Sequence, residues 1–114
     1  MDKRTYDALL ASIDHWQRNA DDPQNANYYA DTNPLCRLFY LPPGVKIPAD
    51  EDYCVGCPVS AATGSPKCRN TPFPDARHLI DAYRRAGCMR RDVVRACRSH
   101  VKLLRSLLPA DDQD

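Results

Sequence analysis

Four of the six cysteines in this 114-residue chain are spaced as ligands of a single metal site. Cys54 and Cys57 form a C-x2-C pair, a spacing that lets two thiolates bind one ion from a tight turn. Cys36 lies upstream of this pair and Cys68 downstream. We therefore predict that these four thiolates share one metal, which would constrain every segment of chain between them.

The residues that follow the C-x2-C pair support this interpretation. Pro58 favours Cys57 as the N-cap of a short helical turn, where free N–H groups and the positive end of the dipole stabilise a thiolate. Gly64 allows a left-handed conformation, so the chain can turn back and bring Cys68 to the site. A short helix is thus expected between Cys57 and Cys68.

Spacing alone does not decide which metal binds. Zinc is the first expectation, because Zn²⁺ takes four thiolates tetrahedrally and would add folding energy that a small, loop-rich chain lacks. A 4Fe-4S cluster is the alternative, since one C-x2-C pair with isolated partners and a Cys-Pro step also suits it. Disulfides or free thiols are a third alternative. No secretory signal is recognisable, so we expect a reducing cytoplasm, where metal-binding cysteines are more common than disulfides.

Apolar periodicity predicts a mainly α-helical single domain over residues 1–114, a small three-helix fold with a long, irregular, metal-clamped loop. The expected segments are helix 1 (3–19), a Cys-rich loop region (20–71), helix 2 (72–86), helix 3 (91–108) and an acidic tail (109–114). The second and third helices are expected to pack on the first. Residues 20–53 show no convincing periodic element.

Each long helix has an apolar stripe that predicts its buried face. In the first helix the stripe consists of Tyr6, Leu9, Leu10, Ile13 and Trp16. In the third helix it consists of Val93, Cys97, Val101, Leu104 and Leu108. Asp2 and Thr71 are the expected N-terminal caps of the first two helices, and Gly87 ends the second. Cys88 and Cys97 are expected to be free thiols, with Cys97 in the core.

The opposite side of the third helix carries a basic face, which consists of Arg91, Arg95, Arg98, Lys102 and Arg105. Residues 71–108 hold nine Lys/Arg against three Asp, although the whole chain has a net charge of only +1. Such a face can bind phosphates, in which case its affinity would depend steeply on salt. Because the pI is near 7.6, we favour a solvated surface or an acidic protein partner over nucleic acid.

Several function classes lack their sequence signals. No G-x-S-x-G, H-E-x-x-H or phosphate-loop motif occurs, so we expect no enzymatic activity. A thioredoxin-like use of Cys54 and Cys57 would need a βαβ setting, and no strand-like run supports one. No apolar run approaches the ~20 residues of a membrane span, so no membrane partner is expected.

The run CVGCPVSAATGSPKCRNTPF from Cys54 to Phe73, with an upstream Pro-Leu-Cys and a tryptophan on the first helix, resembles a group of small uncharacterised phage and bacterial proteins. In that family the run typically ends Thr-Pro-Tyr, and the upstream element is often C-x2-C. Asn33 stands where the first upstream cysteine would be, which leaves four thiols as the minimal ligand set. The resemblance covers about a third of the chain and implies no particular activity.

Together these observations predict a non-enzymatic, metal-stabilised interaction module. The resemblance adds the expectation that it is phage-encoded and binds a host protein in the bacterial cytoplasm. Two alternatives stay open at this point. One is an iron–sulfur protein of nucleic-acid metabolism, and the other is a small nucleic-acid binder that uses the basic face.

Overall fold

The computed structural model describes residues 1–29, 33–40, 54, 57–64, 68, 70–87 and 89–110. Within these ranges all regular structure is helical, which confirms the mainly α prediction. The elements are α1 (Lys3–Asp21), a 3-10 turn (Pro23–Asn25), a π-helical turn (Cys36–Tyr40), α2 (Pro58–Thr63), α3 (Phe73–Ala86) and α4 (Arg90–Ser106). Three expectations fall outside the described residues, namely those for residues 41–53, Cys88 and the acidic end of the tail.

The first helix begins at the predicted cap. The side chain of Asp2 accepts a hydrogen bond from the backbone N–H of Thr5 at 2.7 Å, which satisfies one of the free donors of the first turn. The helix continues to Asp21, two residues beyond the expected end at 19, because Pro23 restricts only the residue directly before it. Leu10 was assigned to the buried stripe, but it is 40% exposed.

The start of α3 differs slightly from the expectation. The helix begins at Phe73 with Pro72 as its N-cap residue, so Thr71 is not the cap itself. The Thr71 hydroxyl still accepts a hydrogen bond from the backbone N–H of Phe73 at 3.0 Å. Gly87 ends the helix as predicted, because its left-handed φ of 66° lets its N–H reach the carbonyl of Tyr83.

The central element of the bundle is α4. It packs along both α1 and α3, and α3 also meets α1 where the ring of Phe73 contacts the ring of Trp16. The buried face of α4 is wide enough to cover both neighbouring helices. All five predicted stripe residues are buried, and His100 is buried with them. The helix ends at Ser106, two residues before the expected end.

The segment after α1 is more ordered than the sequence predicted. A 3-10 turn at Pro23–Asn25 follows the helix directly. The side-chain amide of Asn19 then pairs with the backbone of Asn27 in both directions, at 2.8 and 3.2 Å. Arg84 of α3 donates a hydrogen bond to the carbonyl of Ala26. Side chains of α1 and α3 therefore fix the backbone at the beginning of the loop region. Turn-forming residues in the sequence do not predict such contacts between distant segments.

Trp16 connects the three long helices. Its side chain is fully buried, and its ring makes edge contacts with His100 of α4 and Phe73 of α3, at centroid distances of 4.9 and 5.8 Å. In the described part of the chain, Trp16 Nε1 and His100 Nδ1 have no hydrogen-bond partner.

Burial lowers the pKa of His100 to about 4, so the imidazole is neutral in the folded protein.

This buried histidine makes the fold acid-sensitive. The unfolded chain binds a proton on His100 near pH 6.5 and the folded chain does so only near pH 4, so stability is lost as pH falls through that window. At pH 5 the loss is roughly 2 kcal/mol. The unfolding free energy of the wild-type protein, measured with urea, should therefore be lower at pH 5 than at pH 7.5. We predict that His100→Leu makes this decrease smaller by about 2 kcal/mol.

His78 provides the control, because it lies exposed on α3. The His78→Gln variant should keep the pH dependence of the wild-type protein. If His100→Leu had the same pH dependence as the wild-type protein, His100 would not be the source of the acid sensitivity.

Candidate metal centre

All four predicted ligand cysteines line one cavity of about 270 Å³. The rest of its wall is mostly apolar and includes Leu35, Phe39, Val59, Phe73 and Leu104. Cys54 and Cys57 are buried, while Cys36 and Cys68 are partly buried. The core of the helical bundle and the cysteine-rich segment therefore meet at this cavity.

Cys36 is positioned by a buried polar cluster on α1. The side-chain oxygen of Asn33 accepts hydrogen bonds from the Ser12 hydroxyl at 3.1 Å and from the N–H groups of Leu35 and Cys36 at 3.1 and 3.3 Å. Ser12 also accepts from the N–H of Leu35 at 3.0 Å. Asn33 thus caps the turn that presents Cys36.

Cys54 joins the π-helical turn to the C-x2-C pair. Its backbone N–H donates to the carbonyl of Phe39 at 3.1 Å, and its own carbonyl accepts from the N–H of Cys57 at 3.0 Å. Its φ is +67°, a left-handed conformation that costs a non-glycine residue about 1–2 kcal/mol. This conformation turns the chain tightly between the two cysteines of the pair.

Cys57 begins α2 as predicted. It occupies the N-cap position with Pro58 as the first helical residue, and Gly64 ends the helix with a φ of 74°. Val59 in the first turn is 2% exposed and lines the cavity. The short helix is therefore anchored to the core on the side that faces the thiols.

Cys68 is tied to the start of α3. Its carbonyl accepts a hydrogen bond from the Thr71 hydroxyl at 2.8 Å, and Thr71 also receives the N–H of Phe73. Cys68 has a φ of +57°, so two of the four cysteines adopt the left-handed conformation. The predicted cap Thr71 thus fixes a ligand position as well as the start of α3.

The four thiols influence one another electrostatically. Burial, followed by the charges of Cys54 and Cys57, raises the pKa of Cys36 to about 12. Burial and the three other cysteines raise the pKa of Cys68 in the same way. Burial also raises the pKa of Cys57, while backbone N–H groups of α2 oppose the rise. Ionising these thiols together therefore requires a compensating positive charge.

The donor set suits a thiolate-binding metal. In the lining described by the structure, four thiols face the cavity without a carboxylate among them, and thiolates select zinc or iron–sulfur clusters. The thiols are not closed around a point, however. Among the described residues, no group of three or more His, Cys, Asp or Glu side chains is placed to hold a metal ion.

Two features of the cavity were missed in the sequence. The sequence indicates a turn at Asn33-Pro34 and a replaced cysteine at Asn33, but its role as the cap of the turn that carries Cys36 was not predicted. Arg77 also lines the cavity, and its guanidinium lies over the ring of Tyr28, 5.3 Å from the ring centroid. The Tyr28 hydroxyl donates to Asp81 at 2.7 Å, so the two helix residues fix this aromatic wall. No local sequence signal connects residues 28, 77 and 81.

The basic face of α4 is presented to solvent. Arg91, Arg95, Arg98, Lys102 and Arg105 are all exposed. Among the described residues, the two salt bridges both lie on α1, between Lys3 and Asp7 and between Arg18 and Asp14. The positive charge of this face is therefore not neutralised within the described part of the protein.

None of the helices in the described ranges is both long enough and apolar enough to cross a bilayer. No family model, curated protein or solved structure matches the chain.

The Asn33 cap generates a prediction. Asn33→Ala leaves the Ser12 hydroxyl and two backbone N–H groups without their shared acceptor, which should cost about 1–3 kcal/mol in unfolding free energy. Asn25→Ala is the control, because it removes only an exposed hydrogen bond to Asp22 and should cost less than 1 kcal/mol. Urea titration measures both, and equal losses would argue against the cap.

Proposed function

We propose that this chain is a non-enzymatic interaction module whose cysteine-rich segment is held in place by a metal centre. Cys36, Cys54, Cys57 and Cys68 supply the thiolates. The sequence names zinc as the first metal and a 4Fe-4S cluster as the alternative. The proposal itself requires only that one centre be shared by all four residues.

The observation that carries the proposal is that four cysteines from four separate points of the chain line the same cavity. They come from the π-helical turn, an isolated turn, the start of α2 and the segment before α3. The left-handed backbone at Cys54 and Cys68 supports it further. Strain of this kind persists where surrounding interactions fix it, and metal ligation is one such interaction.

The metal is assigned a structural role. Four thiolates complete the coordination shell and leave no open position for water or substrate. A bound metal would also supply the positive charge that the ionised thiols require. The centre would then contribute folding energy to the segment that carries the four cysteines.

The basic face of α4 is assigned to partner binding. Its five cations are exposed, and they project from the helix that forms the centre of the bundle. An acidic protein surface is the complementary partner, because opposite charges steer association and set orientation. With the resemblance to phage proteins, the proposal extends to a phage-encoded chain that binds a host protein in the bacterial cytoplasm.

The metal proposal predicts different outcomes for two buried cysteines. Cys54→Ser should release the metal and cost at least about 2 kcal/mol, which lowers Tm by about 10 °C. Cys97→Ala is the matched control, because Cys97 is fully buried between the helices and does not line the cavity. It should lose packing energy but retain the metal.

Elemental analysis by mass spectrometry and thermal unfolding of the untagged proteins measure both effects. A Cys54→Ser protein with the metal content and Tm of the wild type would refute the proposal.

The partner proposal is tested by charge reversal. Arg95→Glu/Arg98→Glu should abolish capture of a protein from nuclease-treated bacterial lysate, because it removes positive charge from the centre of the basic face. Lys3→Glu/Arg4→Glu makes the same change in charge on the exposed start of α1 and should leave capture intact.

The comparison also separates the alternatives. Capture that survives reversal at Arg95 and Arg98 would remove the basic face from the account. Capture that disappears on nuclease treatment of the lysate would favour the nucleic-acid binder.

A further inference from the structure

The five cations of the basic face lie in a nearly straight row along α4. They follow one another at steps of four, three, four and three residues, from Arg91 to Arg105. Fourteen residues over four steps give a mean step of 3.5 residues, and such a repeat drifts only about 20° per heptad around an α-helix. At about 1.5 Å per residue the row is about 21 Å long. The basic face is therefore long, narrow and nearly parallel to the helix axis.

A second helix matches this row better than an extended segment does. A helix with acidic residues at the same steps repeats its carboxylates at the same interval, so each carboxylate can meet one cation. Side chains on one face of an extended segment are about 6.7 Å apart, whereas the cations are about 5 Å apart along the axis. After four steps the difference adds up to about 6 Å, which is more than one step. Charge complementarity along the whole face thus favours an acidic helix.

A groove between α3 and α4 borders the basic face. Arg95 belongs to the basic face and also lines the groove. Leu79 of α3 and Ala96 of α4 line it too and are half-buried, so they present some apolar surface. Ser99 is small and exposed at the same groove, which permits a close approach of another helix, since the distance between helix axes depends on the side chains at the contact. Amphipathic helices bind by placing their apolar face in such a groove.

The acidic residues of the groove decide which side of a bound helix carries its carboxylates. Asp75 of α3 and Asp92 of α4 both line the groove, and like charges that face each other across an interface oppose binding. Carboxylates of the partner are therefore disfavoured in the groove and favoured over the basic face. The complementary helix has an acidic row and, beside it, an apolar row.

From this geometry we infer that the partner presents an amphipathic α-helix, with its acidic row over the basic face and its apolar row in the α3–α4 groove. The inference rests on the proposed function, since it specifies the form of the acidic protein surface that the basic face binds. It goes further by giving the groove a role in binding.

The test measures binding of synthetic peptides to the full, untagged chain by fluorescence anisotropy. The first peptide is Ala-rich and about 21 residues long, with Glu at steps of four, three, four and three and Leu in the neighbouring row. The second has the same composition with its Glu distributed around the helix, and circular dichroism confirms that both are helical. The inference predicts that the first peptide binds at least about tenfold more tightly, and that added salt weakens its binding.

Substitutions in the protein test the two parts of the surface separately. Arg95→Glu/Arg98→Glu should weaken binding of the first peptide at least about tenfold. Ser99→Tyr retains every cation but narrows the groove at an exposed position, and it should weaken binding about fivefold or more. Ala11→Tyr places the same side chain at an exposed position of α1 and should leave binding unchanged.

A change in the peptide checks the groove without altering the protein. Replacing the Leu row with Gln should weaken binding to the wild-type chain about as much as Ser99→Tyr does, because both remove the apolar contact. If neither change affected binding, the helix would not occupy the groove and the inference would be wrong.

The remaining outcomes separate this inference from the proposed function. Equal binding of the two peptides would overturn the helical partner but leave an acidic protein surface as the target of the basic face. Failure of both peptides to bind, with capture from lysate still dependent on Arg95 and Arg98, would have the same meaning. Duplex DNA that binds more tightly than the first peptide and displaces it would overturn both the inference and the protein partner.

Discussion

The burial of Trp16 is the interaction on which the rest of the structure depends. Its ring lies on α1 and contacts His100 of α4 and Phe73 at the start of α3. A fully buried tryptophan contributes more packing area than other side chains. It thereby fixes the relative positions of the three long helices. Because Phe73 also lines the cysteine cavity, this contact joins the bundle directly to the candidate metal centre.

The cysteines are attached to this scaffold by short polar connections. Asn33 and Ser12 hold the turn that carries Cys36 against α1. Thr71 ties Cys68 to the first turn of α3. Such connections position backbone but provide little apolar burial of their own. The proposed metal centre would add folding energy at the point where these attachments converge.

Local signals in the sequence were sufficient for part of this structure. Asp2 and Gly87 marked helix ends correctly because capping depends on neighbouring residues alone. Leu10 was misassigned because it borders the stripe, and only the position of α4 decides which side is covered. His100 could have been found, since it lies three residues after Cys97 in the same stripe. A polar side chain at such a position is, however, more often exposed than buried.

The spacing in the sequence predicted that the four cysteines lie together, and they line one cavity. It did not predict that, among the described residues, no three of them are placed to hold a metal ion. Whether they bind a metal stays a prediction. Native mass spectrometry of the untagged chain, purified without oxygen, tests it most directly. The account predicts a mass above that of the polypeptide, with the excess lost on denaturation and in Cys54→Ser. A native mass equal to that of the polypeptide, or lower by two hydrogens for each disulfide, would contradict it.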